Sequence, residues 1–177
     1  MKTTLLVLTG AALAMFAGSA EAQVTKETVP GITNLARVQT TVACAGAVTP
    51  SSVAGIKKMG FASIINLRLP SEAGADIEGE TAAAKAAGIN FFHIPFDGAN
   101  PDPAVADRFM KTITEDGNAP AFIHCASGNR AAAMWLIKRI LIDRWDADRA
   151  SEEASQLGLT NPKLKAFALD YAQNHKK

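Results

Sequence analysis

The chain has 177 residues, 20% of them charged, a formal net charge of +1 and two cysteines. A balance this close to neutral argues against nucleic acid or an anionic membrane surface as a partner, since both call for a strongly basic face. Two cysteines allow a single intramolecular pairing.

Residues 1–22 read as a secretory signal peptide. Lys2 supplies a positive start, an apolar run follows from Leu5 to Phe16, and Ala20 and Ala22 put small residues around a cleavage point after Ala22. The run is shorter than the ~20 residues that span a bilayer, and no cysteine follows it to carry a lipid. The expected mature protein, residues 23–177, is exported to the periplasm. It has no stable membrane association and forms one domain around one core.

Residues 23–36 show no period around Pro30 and Gly31 and are expected to form an irregular lead-in. Residues 37–44 alternate and are rich in Val and Thr, as a first strand would be, and residues 46–50 turn the chain. Val53, Ile56 and Met59 have helical spacing between a Thr49 or Ser51 cap and the stop at Gly60. The apolar run 61–67 suits a strand covered on both faces. A helix over 77–87 ends at Gly88, and a strand over 90–94 ends at Pro95. Residues 96–103 are loop by composition, with Asp102 between two prolines as a helix cap. A helix over 104–114 follows, then a strand reaching Cys125. The most apolar helix comes next, with further helices over 146–157 and 162–174. Strands alternating with helices imply an α/β three-layer sandwich with a largely parallel central sheet. Ligands bind such sheets at the carboxyl ends of the strands, which gathers Arg68, Asp97 and the Cys125 loop at one rim.

That loop is where the chemistry concentrates. Ala126, Ser127, Gly128 and Asn129 separate Cys125 from Arg130, which opens the apolar helix. Backbone N–H groups of a small-residue loop entering a helix carry partial positive charge, so they can hold an oxyanion or stabilise a thiolate. Cys125 is the candidate nucleophile, and Arg130 is a planar fork for two oxygens of an anion. His124 either tunes the thiol or holds the loop by hydrogen bonds. Ser127 and Asn129 either line the cradle or satisfy local backbone groups. Asp97 is a candidate general acid or a turn-forming residue before Gly98. Arg68 and Glu72 are expected to pair near the rim. Cys44, at a strand end, is the candidate partner for reversible redox exchange with Cys125.

The run from His124 through Cys125 and Arg130 to Ala131 resembles the active-site loop of the cysteine-dependent phosphatase superfamily. More closely, it is similar to the bacterial beta-lactamase-hydrolase-like phosphatase-like family. The likeness extends to residues 64–68 with Glu72, the 46–50 turn, Gly88 with His93, Ile94 and Pro95, and residues 154–158. It implies a protein-tyrosine-phosphatase-like fold, a phosphocysteine on Cys125, phosphoryl binding by Arg130, and Asp97 as general acid. The substrate it implies is a small anionic or phosphorylated molecule, with neither cofactor nor metal. The oligomeric state stays open.

Four residues stand between Cys125 and Arg130 where the usual phosphatase loop has five, and Ala131 replaces the usual hydroxyl residue. The shorter loop resembles that of rhodanese-type sulfurtransferases, in which the cysteine carries a persulfide. Three readings follow: a phosphatase-like hydrolase, a sulfurtransferase, and a pseudo-enzyme that binds an anion or partner without turnover.

Overall fold

Strand β1 (Val24–Val29) opens the part of the chain that the computed structural model describes, residues 23–176. The expected signal segment, residues 1–22, lies outside the described residues. β1 turns through Pro30 and Gly31, which adopts φ +78°, into β2 (Ile32–Val38). The lead-in expected to be irregular is therefore an antiparallel hairpin. Its alternation is hidden because the β1–β2 register shifts between Glu27 and Val29 and because Asn34 takes φ +49°. Leu35 and Ala36 are consequently both buried, which no period of two predicts.

The single strand expected over 37–44 is likewise split. β2 ends at Val38, Gln39 adopts φ +46°, Thr41 N–H closes the turn on Val38 O at 2.9 Å, and β3 (Val42–Ala45) follows antiparallel. Beyond a short 3₁₀ turn come α1 (Val53–Lys58), β4 (Ser63–Asn66), α2 (Ile77–Ala87) and β5 (Asn90–His93). The remaining elements are α3 (Pro103–Thr114), β6 (Ala121–His124), α4 (Asn129–Leu141), α5 (Ala147–Gln156) and α6 (Pro162–Asn174). The expected Thr49 or Ser51 cap makes no capping hydrogen bond, because a 3₁₀ turn precedes α1 and Ser52 stands at its start, but the later helices begin on side-chain caps. Asp76, Asp102, Asp146 and Asn161 each accept an N–H from the first turn of α2, α3, α5 and α6, and Gly88 closes α2 at φ +64°.

Six strands form one sheet in the order β1-β2-β3-β6-β4-β5. The β3–β6, β6–β4 and β4–β5 pairs are parallel, so the hairpin extends a parallel core on one side. Alternate residues of the central strands face opposite layers. Ile65, Ile123 and Cys44 pack toward α3–α6, whereas Ile64, Phe122 and Ala43 pack with Val53, Ile56 and Ala84 of α1 and α2. α4 lies inside, with Met134, Leu136 and Ile137 fully buried. Each such side chain contributes about 1.5–3 kcal/mol through burial. The sheet thus presents the carboxyl ends of β3, β6 and β4 at one rim, with α4 starting there.

Candidate active site

β6 ends at His124 and delivers Cys125 to that rim. Cys125 N–H donates to Ala45 O at 3.2 Å, and Ala47 N–H donates to Ala126 O at 3.1 Å, so β3 and the turn after it brace the first half of the loop. Asn34, from the hairpin, donates its side-chain N–H to Ser127 O at 3.2 Å. Gly128 sits at φ +101°, a conformation that favours glycine, and its N–H points at Cys125 Sγ from 3.1 Å. Asn129 Oδ1 accepts from Thr160 N–H at 2.8 Å, Asn161 N–H at 2.7 Å and the Thr160 hydroxyl at 3.2 Å, tying the loop to the α5–α6 connection. Asn129 therefore satisfies backbone groups. The N–H groups of Ala126 and Ser127 find no acceptor among the described residues, and both residues are exposed while Cys125 is fully buried.

Arg130 lies beside the cysteine and is held from three sides. Nη1 donates to Glu72 Oε1 at 2.6 Å, to Phe96 O at 2.8 Å and to Leu67 O at 3.2 Å, and Nη2 donates to Glu72 Oε2 at 2.8 Å. Burial opposes its charged form, but Glu72 and Cys125 outweigh that and raise its pKa. Burial likewise opposes the Glu72 carboxylate. The hydrogen bonds from Arg130, Leu69 N–H and Arg68 prevail and bring its pKa down to about 2. Arg68 is buried and anchors the turn that presents Glu72. Its Nη1 donates to Gly74 O at 2.9 Å, Nη2 to Ala73 O at 2.6 Å and Nε to Glu72 Oε2 at 3.3 Å. The expected Arg68–Glu72 pair is present, and its larger consequence, a carboxylate aimed at Arg130, had no local signal.

Asp97 stands one residue beyond Phe96. Its Oδ1 accepts Ala99 N–H at 2.8 Å and its Oδ2 accepts the Asn100 side chain at 3.0 Å, so the carboxylate closes its own turn. The Asn100 side chain and Ala99 N–H, with Arg130 nearby, hold its pKa below the usual range.

His124 faces the layer opposite Cys125. Its Nε2 lies 2.9 Å from Glu80 Oε2 of α2, and both side chains are fully buried. The contact is close but poorly aligned: neither imidazole nitrogen completes a hydrogen bond, and Glu80 Oε1 is unpartnered. Asn66 joins them, donating to Glu80 Oε2 at 3.1 Å and accepting Arg68 N–H at 2.8 Å. Glu80 was not legible as part of the site, although a glutamate on the inward stripe of α2 with Ala84 is the one clue it left.

Cys44 pairs in register with Ile123, two residues before Cys125, and both cysteines are buried free thiols. Burial, then the charges of Cys125 and Glu153, push the Cys44 thiol well above the usual thiol range. A cleft of about 620 Å³ opens beside the loop between the hairpin and the α5–α6 connection, with Asn34, Leu35, Ser127, Asn129, Gly158 and Thr160 in its wall. Among the described residues no cluster of His, Cys, Asp and Glu is disposed to hold a metal, and no helix is long and apolar enough to cross a membrane.

The family description "Beta-lactamase hydrolase-like protein, phosphatase-like domain" matches residues 34–142, more than half of the chain. A Beta-lactamase hydrolase-like protein from Xylella fastidiosa is 32% identical over 96 residues, covering 51% of this chain and 21% of its own length. The chain thus spans about a fifth of that relative. Among solved structures, a putative phosphatase (DUF442) from Shewanella putrefaciens CN-32 aligns with TM-score 0.68 at 19% identity, over 83% of this chain and 96% of that one. The core catalytic domain of the PP-IP phosphatase SIW14 from S. cerevisiae aligns with TM-score 0.65 at 17% identity, over 81% and 88%. P. aeruginosa TpbA aligns with TM-score 0.64 at 20% identity, over 89% and 92%. At these identities the structural likeness concerns the fold, which is that of cysteine-dependent phosphatases.

Proposed function

The chain belongs to the phosphatase-like domain family of beta-lactamase hydrolase-like proteins, and on that premise we propose that it is an exported, periplasmic phosphatase-type hydrolase acting through Cys125. The thiolate attacks the phosphorus of a small phosphorylated substrate and forms a phosphocysteine that water then hydrolyses. Arg130 carries the charge of the transferred group, helped by the N–H groups of Ala126, Ser127 and Gly128. Glu72 and Arg68 are positioning residues that hold the Arg130 fork at the mouth of the loop, and His124 supports the strand end beneath it.

The observation that carries this reading is the contact of Gly128 N–H with Cys125 Sγ at 3.1 Å next to an arginine fixed by Glu72. That contact fixes Sγ beside the cation that would bind the transferred group. The reading is also supported by TpbA, of which a structure in complex with pTyr exists. Hydrolysis of an aryl phosphate that disappears in Cys125→Ser tests it. No turnover above that variant anywhere between about pH 5 and about pH 8 would rule it out.

Sulfur transfer is the second reading, favoured by the four-residue spacing to Arg130 together with the complete burial of Cys125. An enclosed thiol suits a single added sulfur atom better than a bulky ester. Exposure to thiosulfate or a polysulfide followed by intact-mass measurement checks it: an unchanged mass eliminates persulfide formation.

A further inference from the structure

A phosphoryl group held at Cys125 carries its leaving group out beside the loop, and the two flanks of the loop differ in the room they give it. On the β4–β5 flank Arg130 is packed against Glu72 and the Phe96 carbonyl, and a Cβ added at Gly98 would stand 3.3 Å from Arg130 Cγ. On the other flank Ser127 and Asn129 form part of the wall of the cleft of about 620 Å³ between the hairpin and the α5–α6 connection. That volume lies within the range of small-molecule sites, and those two residues make the cleft continuous with the loop.

The polar groups of the wall are of mixed kind. Asn34 donates its Nδ2 to Ser127 O, and its Oδ1 has no donor among the described residues. Asn129 is the reverse: Thr160 and Asn161 take up its Oδ1, which leaves Nδ2 to donate. Gln156, exposed at the end of α5, makes no side-chain hydrogen bond among the described residues and offers both a donor and an acceptor. Such a mixture matches hydroxyl groups, each of which gives and takes a hydrogen bond, whereas an ionised carboxylate or phosphate takes donors only.

The rest of the wall narrows the class further. Leu35 and Leu157 contribute buried apolar surface, and no aromatic side chain among the described residues lines the cleft to stack on a phenyl ring or a base. Charge is sparse. Glu27 is held by Arg37 Nε at 2.5 Å, and Lys26 is the one cation of the wall, where a densely phosphorylated ligand takes several.

Resting on the hydrolase reading, we infer that this cleft seats the leaving group of the substrate and that this group is a sugar or polyol, so that the site hydrolyses hydroxyl-rich alkyl phosphates. The phosphoryl group sits in the Cys125 loop, and the hydroxyls lie along Asn34, Asn129 and Gln156. Gln156 sets specificity without touching the reacting atoms.

The test compares sorbitol 6-phosphate with n-hexyl phosphate by steady-state phosphate release. Both release a primary alkoxide, so they differ in the hydroxyls alone. Phenyl phosphate reports the hydrolase reading, and myo-inositol hexakisphosphate stands for the densely charged class. Wild type should show a kcat/KM for sorbitol 6-phosphate at least about 10-fold above that for hexyl phosphate. Gln156→Leu should shrink that ratio about 5-fold, mainly through KM. No turnover of sorbitol 6-phosphate, an equal or inverted ratio, a ratio that Gln156→Leu leaves unchanged, or a higher kcat/KM for the inositol polyphosphate each overturns the inference. Phenyl phosphate turnover that vanishes in Cys125→Ser then leaves the hydrolase reading standing. If Gln156→Leu does not fold, the wild-type ratio alone decides. Absence of turnover above Cys125→Ser for all four compounds overturns the hydrolase reading and this inference with it.

Discussion

Arg130 and Glu72 meet fork to fork, Nη1 on Oε1 at 2.6 Å and Nη2 on Oε2 at 2.8 Å, across a sequence separation of 58 residues. The pair joins the loop after β4 to the start of α4 and sets the direction of the cation beside Cys125. Glu72→Gln keeps the shape but loses the charge and one acceptor. Its kcat/KM is expected to fall about 10–100-fold through misplacement of Arg130, and steady-state kinetics on the best aryl phosphate measures this.

Glu72 also gives a pH signature. Its folded pKa of about 2 lies below the unfolded value of about 4.3. A depressed carboxylate stabilises the fold fully above the unfolded pKa, and that contribution drains away as pH falls through the folded one. Solvent screening at this partly exposed group keeps the effect modest. The Tm gap between wild type and Glu72→Gln should be constant down to about pH 5 and shrink between about pH 4 and about pH 2. A gap that stays constant throughout would contradict the pairing.

Gly128 holds φ +101° so that its N–H reaches Cys125 Sγ. Gly128→Ala forces a Cβ into that conformation at about 1–2 kcal/mol and draws the donor off the sulfur. Lower thermal stability together with slower alkylation of Cys125 by iodoacetamide at neutral pH is the expected result. Unchanged alkylation would mean that the N–H does not support the thiolate.

Glu80 and His124 are both fully buried. Removing Glu80 leaves the buried Asn66 side-chain N–H without its acceptor, so Glu80→Ala should destabilise the protein by about 1–3 kcal/mol. Urea unfolding followed by tryptophan fluorescence reads the change in midpoint. A loss smaller than that of an ordinary surface substitution would show that the pair carries little of the rim's stability.

Cys44 pairs with Ile123, two residues before Cys125, on the same face of the sheet. Peroxide converts the Cys125 thiolate to a sulfenic acid, which a second thiol displaces as water to form a disulfide. Because burial raises the Cys44 pKa, the second step should be slow near neutral pH and faster as pH rises. Mass mapping of blocked thiols after peroxide should find a Cys44–Cys125 bridge, and two free thiols after prolonged oxidation would refute the exchange.

Much of this arrangement was legible before any coordinates. The helix over 77–87, the capping residue Asp102 and the apolar strand before Cys125 follow from local rules that act within a few residues. The hairpin was not, because a register shift at Glu27–Val29 and the left-handed Asn34 break the alternation by which a strand is recognised. Asp97 could be read from its chain position either as an acid or as a turn residue, and its contacts with Ala99 N–H and the Asn100 side chain show that it closes the turn.

By itself the sequence determined the strand–helix alternation, the spacing of four residues from Cys125 to Arg130, and the glycine that shapes the turn between them. These are properties of neighbouring residues, and backbone sterics and burial periodicity suffice to express them. Tertiary structure alone decided that Glu72 claims Arg130, that Glu80 lies under His124 and that Cys44 stands beside the strand carrying Cys125. Those pairings depend on strand order and on which face each residue takes, and the core settles both only when segments far apart in the chain pack together.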